Sequence, residues 1–272
     1  MPASESTARI ATRAYRLRRW LWRLLHATGA FLILIAIWVL ISRFADLPDY
    51  FLPSPLAVAT SVGDLVAKGV LMVHVRASLL HLLIAALIGI AIAVPLGLAI
   101  GLNRYAAGFF YPLFNFFQSI SGIAWTPLLI IWFGFSELTI IVVVNYTVLF
   151  PVVFNTMIGA RTVPRTYINA VLTLGGSRWR VVRDVIVPGA LPNIVTGVRL
   201  GLAYGWRALI AAEMLVAANG LGYMIFSAQA SHLTSRIMVG MVIIGLLWMF
   251  IDRFLLRPLE EVTIERWGMV HR

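Results

Sequence analysis

Cysteine is absent from this 272-residue chain, which excludes disulfides, thiolate metal sites and cysteine nucleophiles. Lysine is almost absent as well: Lys68, in VAKGVL, is the only one. A phosphate-cradling GxxxxGKS/T loop is therefore impossible, and any use of ATP has to draw on another chain. Charge is scarce too, at 12% of residues against roughly 25% in a soluble domain. No Ser-His-Asp order, carboxylate pair or metal-ligand cluster stands out, so the chain reads as non-catalytic, with no metal or cofactor of its own. What it has in abundance is apolar residue: 61% is hydrophobic and the mean hydropathy is +0.91. A net charge of +11 would suggest nucleic acid in a soluble protein. Here the arginines fall between apolar runs, where membrane topology accounts for them and no nucleic-acid partner is expected.

A helix needs about 20 apolar residues to cross the hydrocarbon core of a bilayer. Segments at roughly 27–43, 77–102, 109–132, 137–159, 190–216 and 236–256 meet that length. The sequence thus predicts an all-α polytopic membrane protein of about six transmembrane helices. FGFSE alone separates the third from the fourth, which predicts a tight helical hairpin. The basic stretch from Arg9 to Arg23 precedes the first apolar run in the manner of a signal peptide. No small-x-small cleavage site follows that run, only SRFADLPDY, so an uncleaved first span is expected. Cytoplasmic loops of membrane proteins collect Lys and Arg. With the N-terminus inside, 16 of the 22 basic residues fall on that side, among them Arg104, Arg161, Arg165, Arg178, Arg180 and Arg183. Both termini are expected in the cytoplasm. The layout is then a basic N-terminus at 1–26, one transmembrane domain at 27–258 containing a cytoplasmic segment 160–189, and a cytoplasmic tail at 259–272.

Two spans carry small residues at every fourth position: Ala85, Gly89, Ala93, Gly97 and Gly101 in the second, and Gly197, Gly201 and Gly205 in the fifth. Such stripes let helix backbones approach closely in lipid. They predict packing within one bundle, with a sliding surface as the alternative. In FLPSPLAVATSV, Pro53 and Pro55 bracket a serine before an apolar-periodic run and predict a short interfacial helix. Polar side chains inside spans are costly and often functional. Gln118, Asn145, Arg207 and Glu213 are the candidates for a translocation pathway, beside His81, Ser119, Ser121 and Arg199. Arg207 suits an anionic substrate or a structural ion pair. Glu213, six residues on, is not one helical turn away and is expected to balance a cation or a helix N-terminus. Gln118 and Asn145 read first as hydrogen-bond links between helices.

Segment 160–189 is basic but no plain linker. Tyr167, Ala170, Val171 and Leu174 fall near helical spacing before Gly175–Gly176, and Trp179, Val182 and Val185–Ile186 repeat the period before Pro188. That predicts two short amphipathic helices joined at glycines, able to lie on lipid or to dock into a groove on a soluble partner.

The spacing Asn169-Ala170-Val171, three residues, Gly175, nine residues, Val185-x-Val187-Pro188 resembles the EAA loop of ABC-importer permeases. Ala170, Gly175 and Pro188 match that pattern, Val185 and Val187 are conservative replacements, and Asn169 stands where the family usually has glutamate. FLPSPLAV, IAWTPLLIIWFGFSE and GWRALIAAEMLVAANGLGYMI resemble the nitrate/sulfonate/taurine branch, so the likeness runs from about residue 30 to the C-terminus. The resemblance implies a type I ABC-importer permease bundle in the bacterial inner membrane, working as a homodimer. It implies that Asn169, Ala170, Val171, Gly175, Gly176, Ser177, Arg178, Trp179 and Pro188 form a coupling element seated in an ABC ATPase subunit, which binds ATP and Mg. It further implies an extracytoplasmic binding protein that delivers a small anion, a sulfonate, taurine or nitrate, for alternating-access import. The arginines of the segment then serve as topology determinants or as contacts to acidic groups of the ATPase. An ion-coupled secondary transporter or channel is the alternative, with Glu213 its one serious coupling carboxylate.

Overall fold

A computed structural model describes residues 29–44, 48 and 50–266, with side chains as far as Thr263. The expected basic N-terminus at 1–26 and residues 267–272 of the tail lie outside these. Every regular element among the described residues is helical. The first apolar run is helix α1 (Gly29–Phe44). Ser54 starts α2 (Pro55–Ala67), as its Oγ accepts from the Ala57 N–H at 3.2 Å while Pro55 occupies the first turn, where no N–H partner is required. Helix α3 (Val70–Leu102) follows and begins earlier than the 77 expected, because His74 and Arg76, which interrupt the apolar run, lie within it. Its 33 residues extend about 50 Å, longer than the roughly 30 Å hydrocarbon core.

The third expected span is not one helix. It is α4 (Arg104–Ser119), a 3-10 turn at Gly122–Trp125 and α5 (Thr126–Phe133), with a bend of 81° at the break. Gly134–Ser136 then make the tight link to α6 (Glu137–Thr162), where the Ser136 Oγ caps the Thr139 N–H. A short α7 (Arg165–Thr173) precedes α8 (Arg178–Val181), which runs through a π-turn at Val182–Ile186 into α9 (Val187–Val216). After α10 (Leu221–Ala230), α11 (Thr234–Ile251) passes through a second π-turn at Asp252–Leu256 into α12 (Arg257–Arg266). Among the described residues four continuous helices are long and apolar enough to cross a membrane, five if the bent pair counts as one, and Gly29–Phe44 is a shorter apolar helix. Each of the six expected segments thus falls on an apolar helix or on the bent pair.

The second short helix, whose period runs as far as Pro188, does not end before the span expected at 190–216: Arg178–Val216 is one unbroken helical path of 39 residues. A proline removes an i→i−4 hydrogen bond and its ring crowds the carbonyl four residues back. A single widened turn absorbs both effects. Val187 N–H accordingly bonds back to Val182 O just before Pro188, and Arg257 N–H to Asp252 O just before Pro258.

The core is organised around α6, which packs along α3 on one side and α9 on the other. Both small-residue stripes face it. A Cβ at Gly97 would come within 2.7 Å of Thr156 Cβ, and one at Gly201 within 2.8 Å of Val148 O. Lipid chains are as apolar as leucine, so close backbone contact of this kind, more than hydrophobic burial, holds such helices together. One charged clamp adds to it. Arg199 on α9 bonds through Nε to Asp252 Oδ1 at 2.9 Å and through Nη1 to Glu260, while Arg257 Nε reaches Asp252 Oδ2 at 2.9 Å. This fixes α9 against the α11–α12 path.

A cavity at a broken span and a two-faced connecting segment

The break between α4 and α5 is held open by α6. Tyr146 Oη–H donates to the Phe117 carbonyl in the last turn of α4, which also accepts from the Ile120 N–H at 3.1 Å. Gly122 lies so close to Thr147 Oγ1 that any side chain there would collide with it. Non-helical backbone at membrane depth is tolerated only inside protein or beside a water-filled cavity. A cavity of about 350 Å³ indeed lies at the break, lined by Gln118 and Ser121 from the broken span, Tyr146 and Thr147 from α6, and Tyr204 and Arg207 from α9. The Arg207 guanidinium sits over the Tyr204 ring, 5.9 Å from its centroid. Among the described residues no carboxylate lies within 4.0 Å of it. Among the described residues the cavity therefore presents one cation, an amide and four hydroxyls without an opposing negative charge. The Tyr146 and Thr147 hydrogens are already given to Phe117 O and Val143 O, which leaves Arg207, Gln118, Ser121 and Tyr204 as the donors.

Two of the four pathway candidates, Gln118 and Arg207, meet here. Asn145 does not; its Nδ2 donates to Ala85 O at 3.2 Å and ties α6 to α3. Glu213 is fully buried elsewhere, in a knot that joins the ends of α3, α9 and α10. Ser78 Oγ–H donates to its Oε2 at 2.8 Å, Gly222 N–H donates to the same oxygen at 3.0 Å, and His81 Nδ1 stands 3.0 Å from Oε1. Two further N–H groups at the start of α10 are taken: Gly220 donates to His74 Nδ1 at 3.1 Å and Leu221 to Ser78 Oγ at 2.8 Å. Nδ1 of His74 therefore accepts a hydrogen bond from the backbone, while that of His81 faces the carboxylate. Gly220 has φ +132, and a Cβ there would strike the Glu213 carboxyl. Sequence reasoning missed His74 and Ser78. Their signal was present: His74, Ser78 and His81 repeat at i, i+4 and i+7, one polar stripe on an apolar helix.

At the other end of α9 lies the 160–189 segment. α7 stops in a Schellman turn: Gly176 N–H bonds to Val171 O at 2.9 Å and Gly175 N–H to Leu172 O at 3.0 Å, with Gly175 at φ +79. Ser177 then caps α8, its Oγ accepting from the Arg180 N–H at 3.3 Å. Ile168, Val171 and Val182 pack inward on Ala160, Val181 and Ile186 and seat the segment against Leu98 of α3. The inward pair on α7 is thus Ile168 and Val171. Tyr167, Leu172, Leu174 and Trp179 point the other way and are 62%, 45%, 88% and 71% exposed. Arg178 and Arg180 flank Trp179, and Ala170 and Asn169 are also at the surface. One face is anchored; the other is an aromatic and aliphatic knob with a basic margin, of the kind a complementary groove receives.

Comparison with known proteins agrees with this layout. Residues 85–256 match the family described as binding-protein-dependent transport system inner membrane component. The chain is 32% identical to the taurine transport system permease protein TauC of Escherichia coli (strain K12), over 84% of this chain and 86% of that one. It is 30% identical to the nitrate import permease protein NrtB of Synechocystis sp., over 75% of this chain and 78% of that one. Its fold is similar to a chain from inward-facing conformations of the MetNI methionine ABC transporter, at a TM-score of 0.56 and 20% identity, over 71% of this chain and 97% of that chain. A polytopic helical bundle, a cavity at a broken span and a sequence match over most of the chain give one conclusion: the chain belongs to the family of binding-protein-dependent transport system inner membrane components.

Proposed function

We propose that this chain is the permease subunit of an ATP-driven importer that moves a small oxyanion, of the sulfonate, taurine or nitrate kind, through the cavity at Arg207. The observation that carries the reading is the unbroken Arg178–Val216 helix. Trp179, in the outward knob, and Arg207, in the cavity, stand on this one rigid element, about 42 Å apart along its axis. A push on one end is therefore delivered to the other. The guanidinium fork of Arg207 matches two oxygens of a carboxylate, sulfonate or nitrate group, and Gln118 with the Ser121 and Tyr204 hydroxyls completes the donor set.

In this reading Asn169, Ala170, Val171, Gly175, Gly176, Ser177, Arg178, Trp179 and Pro188 form the element received by an ABC ATPase. ATP and Mg belong to that partner, since Lys68 cannot supply a phosphate loop. The chain spans the inner membrane at 27–258 with 1–26 and 259–272 in the cytoplasm, pairs with a second copy, and takes its cargo from an extracytoplasmic binding protein. Closure of the ATPases draws the two seated knobs together and turns the bundle from one access to the other. The relatives that carry taurine and nitrate in their names support the cargo class. An ion-coupled carrier would need a carboxylate free to exchange its partner; the closed knot around Glu213 favours the ATP-driven reading. Uptake of labelled taurine or nitrate into proteoliposomes holding the full complex tests it. Uptake is expected only with ATP hydrolysis, and uptake that persists without it contradicts the proposal.

A further inference from the structure

A second basic cavity, of about 520 Å³, opens between the ends of α3 and α6 and the start of α7. Three guanidinium groups from three elements edge it: Arg104 at the first residue of α4, Arg161 in the last turn of α6 and Arg165 at the first residue of α7. All three are exposed, and among the described residues none has a carboxylate within 4.0 Å. Arg180, Arg199 and Arg257, by contrast, each pair with an acidic side chain. Beneath this rim the cavity wall is apolar and buried, at Ala160, Val163 and Ile186. Leu102 and Thr162 end the two spans beside it, which puts the cavity at the level where hydrocarbon gives way to headgroups.

We propose that this cavity binds an anionic phospholipid, with Arg104, Arg161 and Arg165 around its phosphate and the apolar wall against its glycerol and first acyl carbons. Converging like charges need a counter-anion. Arginine forks hold phosphate oxygens in pairs, and basic pockets between spans at the cytoplasmic interface are where anionic headgroups are found. A free inorganic anion would leave the apolar wall unused, so the mixed character of the cavity favours an amphiphile. Asn169 also lines it. A glutamate there, as in the usual EAA pattern, would stand among the three arginines and neutralise one of them; the amide keeps the site wholly cationic. The bound lipid would tie α7 to the ends of α4 and α6, and so set how stiffly the outward knob is carried. That consequence, and the cytoplasmic side given to the cavity, rest on the function proposed above; the three arginines and the apolar wall do not.

Binding of phosphatidylglycerol, phosphatidylcholine and inorganic phosphate to the full chain in neutral detergent tests the site. Phosphatidylglycerol is expected to bind in preference to phosphatidylcholine. Arg104→Gln, Arg161→Gln and Arg165→Gln should each weaken it about fivefold, Asn169→Glu by a similar factor, and Arg161→Lys much less. Arg183→Gln, equally exposed but outside the cavity, should leave binding unchanged and controls for general surface charge. Unaltered phosphatidylglycerol binding in the triple glutamine variant would overturn the proposal. Displacement of the lipid by inorganic phosphate at matching concentration would overturn it in favour of a free-anion site. Lipid binding that survives while retention of the ATPase is lost would reassign the arginines to the protein partner. Because all three side chains are exposed, an unchanged size-exclusion profile separates these outcomes from misfolding.

Discussion

At Glu213 the Arg178–Val216 helix ends among groups that are all taken, whereas at Trp179 it begins with its largest side chain in the open. Near Glu213, three helices meet and the carboxylate, two imidazoles, a serine hydroxyl and three backbone N–H groups are mutually bonded. Near Trp179, the polar work is limited to a Schellman turn and one serine cap, and four large side chains face outward. Arg207 lies between, in a cavity with donors to spare. One helix thus has a fixed end, an exposed end and a polar cavity along its length. The contrast teaches that burial and charge alone do not identify a functional group here. Glu213 is the more deeply buried of the two charged residues, yet its bonds serve the fold, while Arg207 keeps its donors free.

Glu213→Ala should break the comparison most severely. It leaves Ser78, His81 and the Gly222 N–H without their acceptor in a dry site, a loss of about 3 kcal/mol or more. The expected outcome is a large fall in melting temperature in detergent and poor recovery of assembled protein. An unchanged melting temperature would mean that the knot is dispensable. Gly175→Pro comes next and acts at the opposite end. Proline cannot adopt φ +79 and removes the N–H that bonds to Leu172 O. Membrane insertion and the melting of the bundle are expected to stay close to the parent, while the ATPase no longer co-purifies and transport stops. Normal co-purification would refute the role given to this turn. Arg207→Ala should have the smallest effect on the molecule and a selective one on transport. Loss of a charge-assisted pair of hydrogen bonds corresponds to about a tenfold drop in uptake, with assembly and basal ATP hydrolysis retained. Arg207→Lys, which keeps the charge and loses the fork, should fall between; uptake equal to the parent in both would make Arg207 structural.

Much of this architecture can be read from the amino acids, because hydropathy and the small-residue stripes depend on local composition. The six apolar segments, the start of α2 at Ser54 and the hairpin after Phe133 all follow from such local signals. Three features do not. The break at Ile120–Trp125 lies inside an apolar run, and what opens it is contact with Tyr146 and Thr147 on another helix. The continuity through Pro188 depends on a π-turn, whereas proline by itself signals a restart. The knot around Glu213 needs a stripe on α3 more than 130 residues away in sequence. Of the pathway candidates, their chemical type was legible but their grouping was not: Gln118, Ser121 and Arg207 share a cavity, while Asn145 and Glu213 bond elsewhere. The 160–189 segment was the reverse case: the motif was plain, but spacing alone did not say which side the bundle receives, and that side is Ile168 and Val171.

The central claim is that the outward face at Leu174 and Trp179 is where an ATPase is seated. The absence of cysteine makes a direct measurement simple, since Leu174→Cys gives a single thiol at an 88% exposed position. Labelling with a membrane-impermeant maleimide is to be compared in right-side-out and inverted vesicles, with and without the ATPase subunit. The account predicts labelling only in inverted vesicles and strong protection when the ATPase is present. Equal labelling with and without the ATPase, or labelling from the outer face, would contradict it.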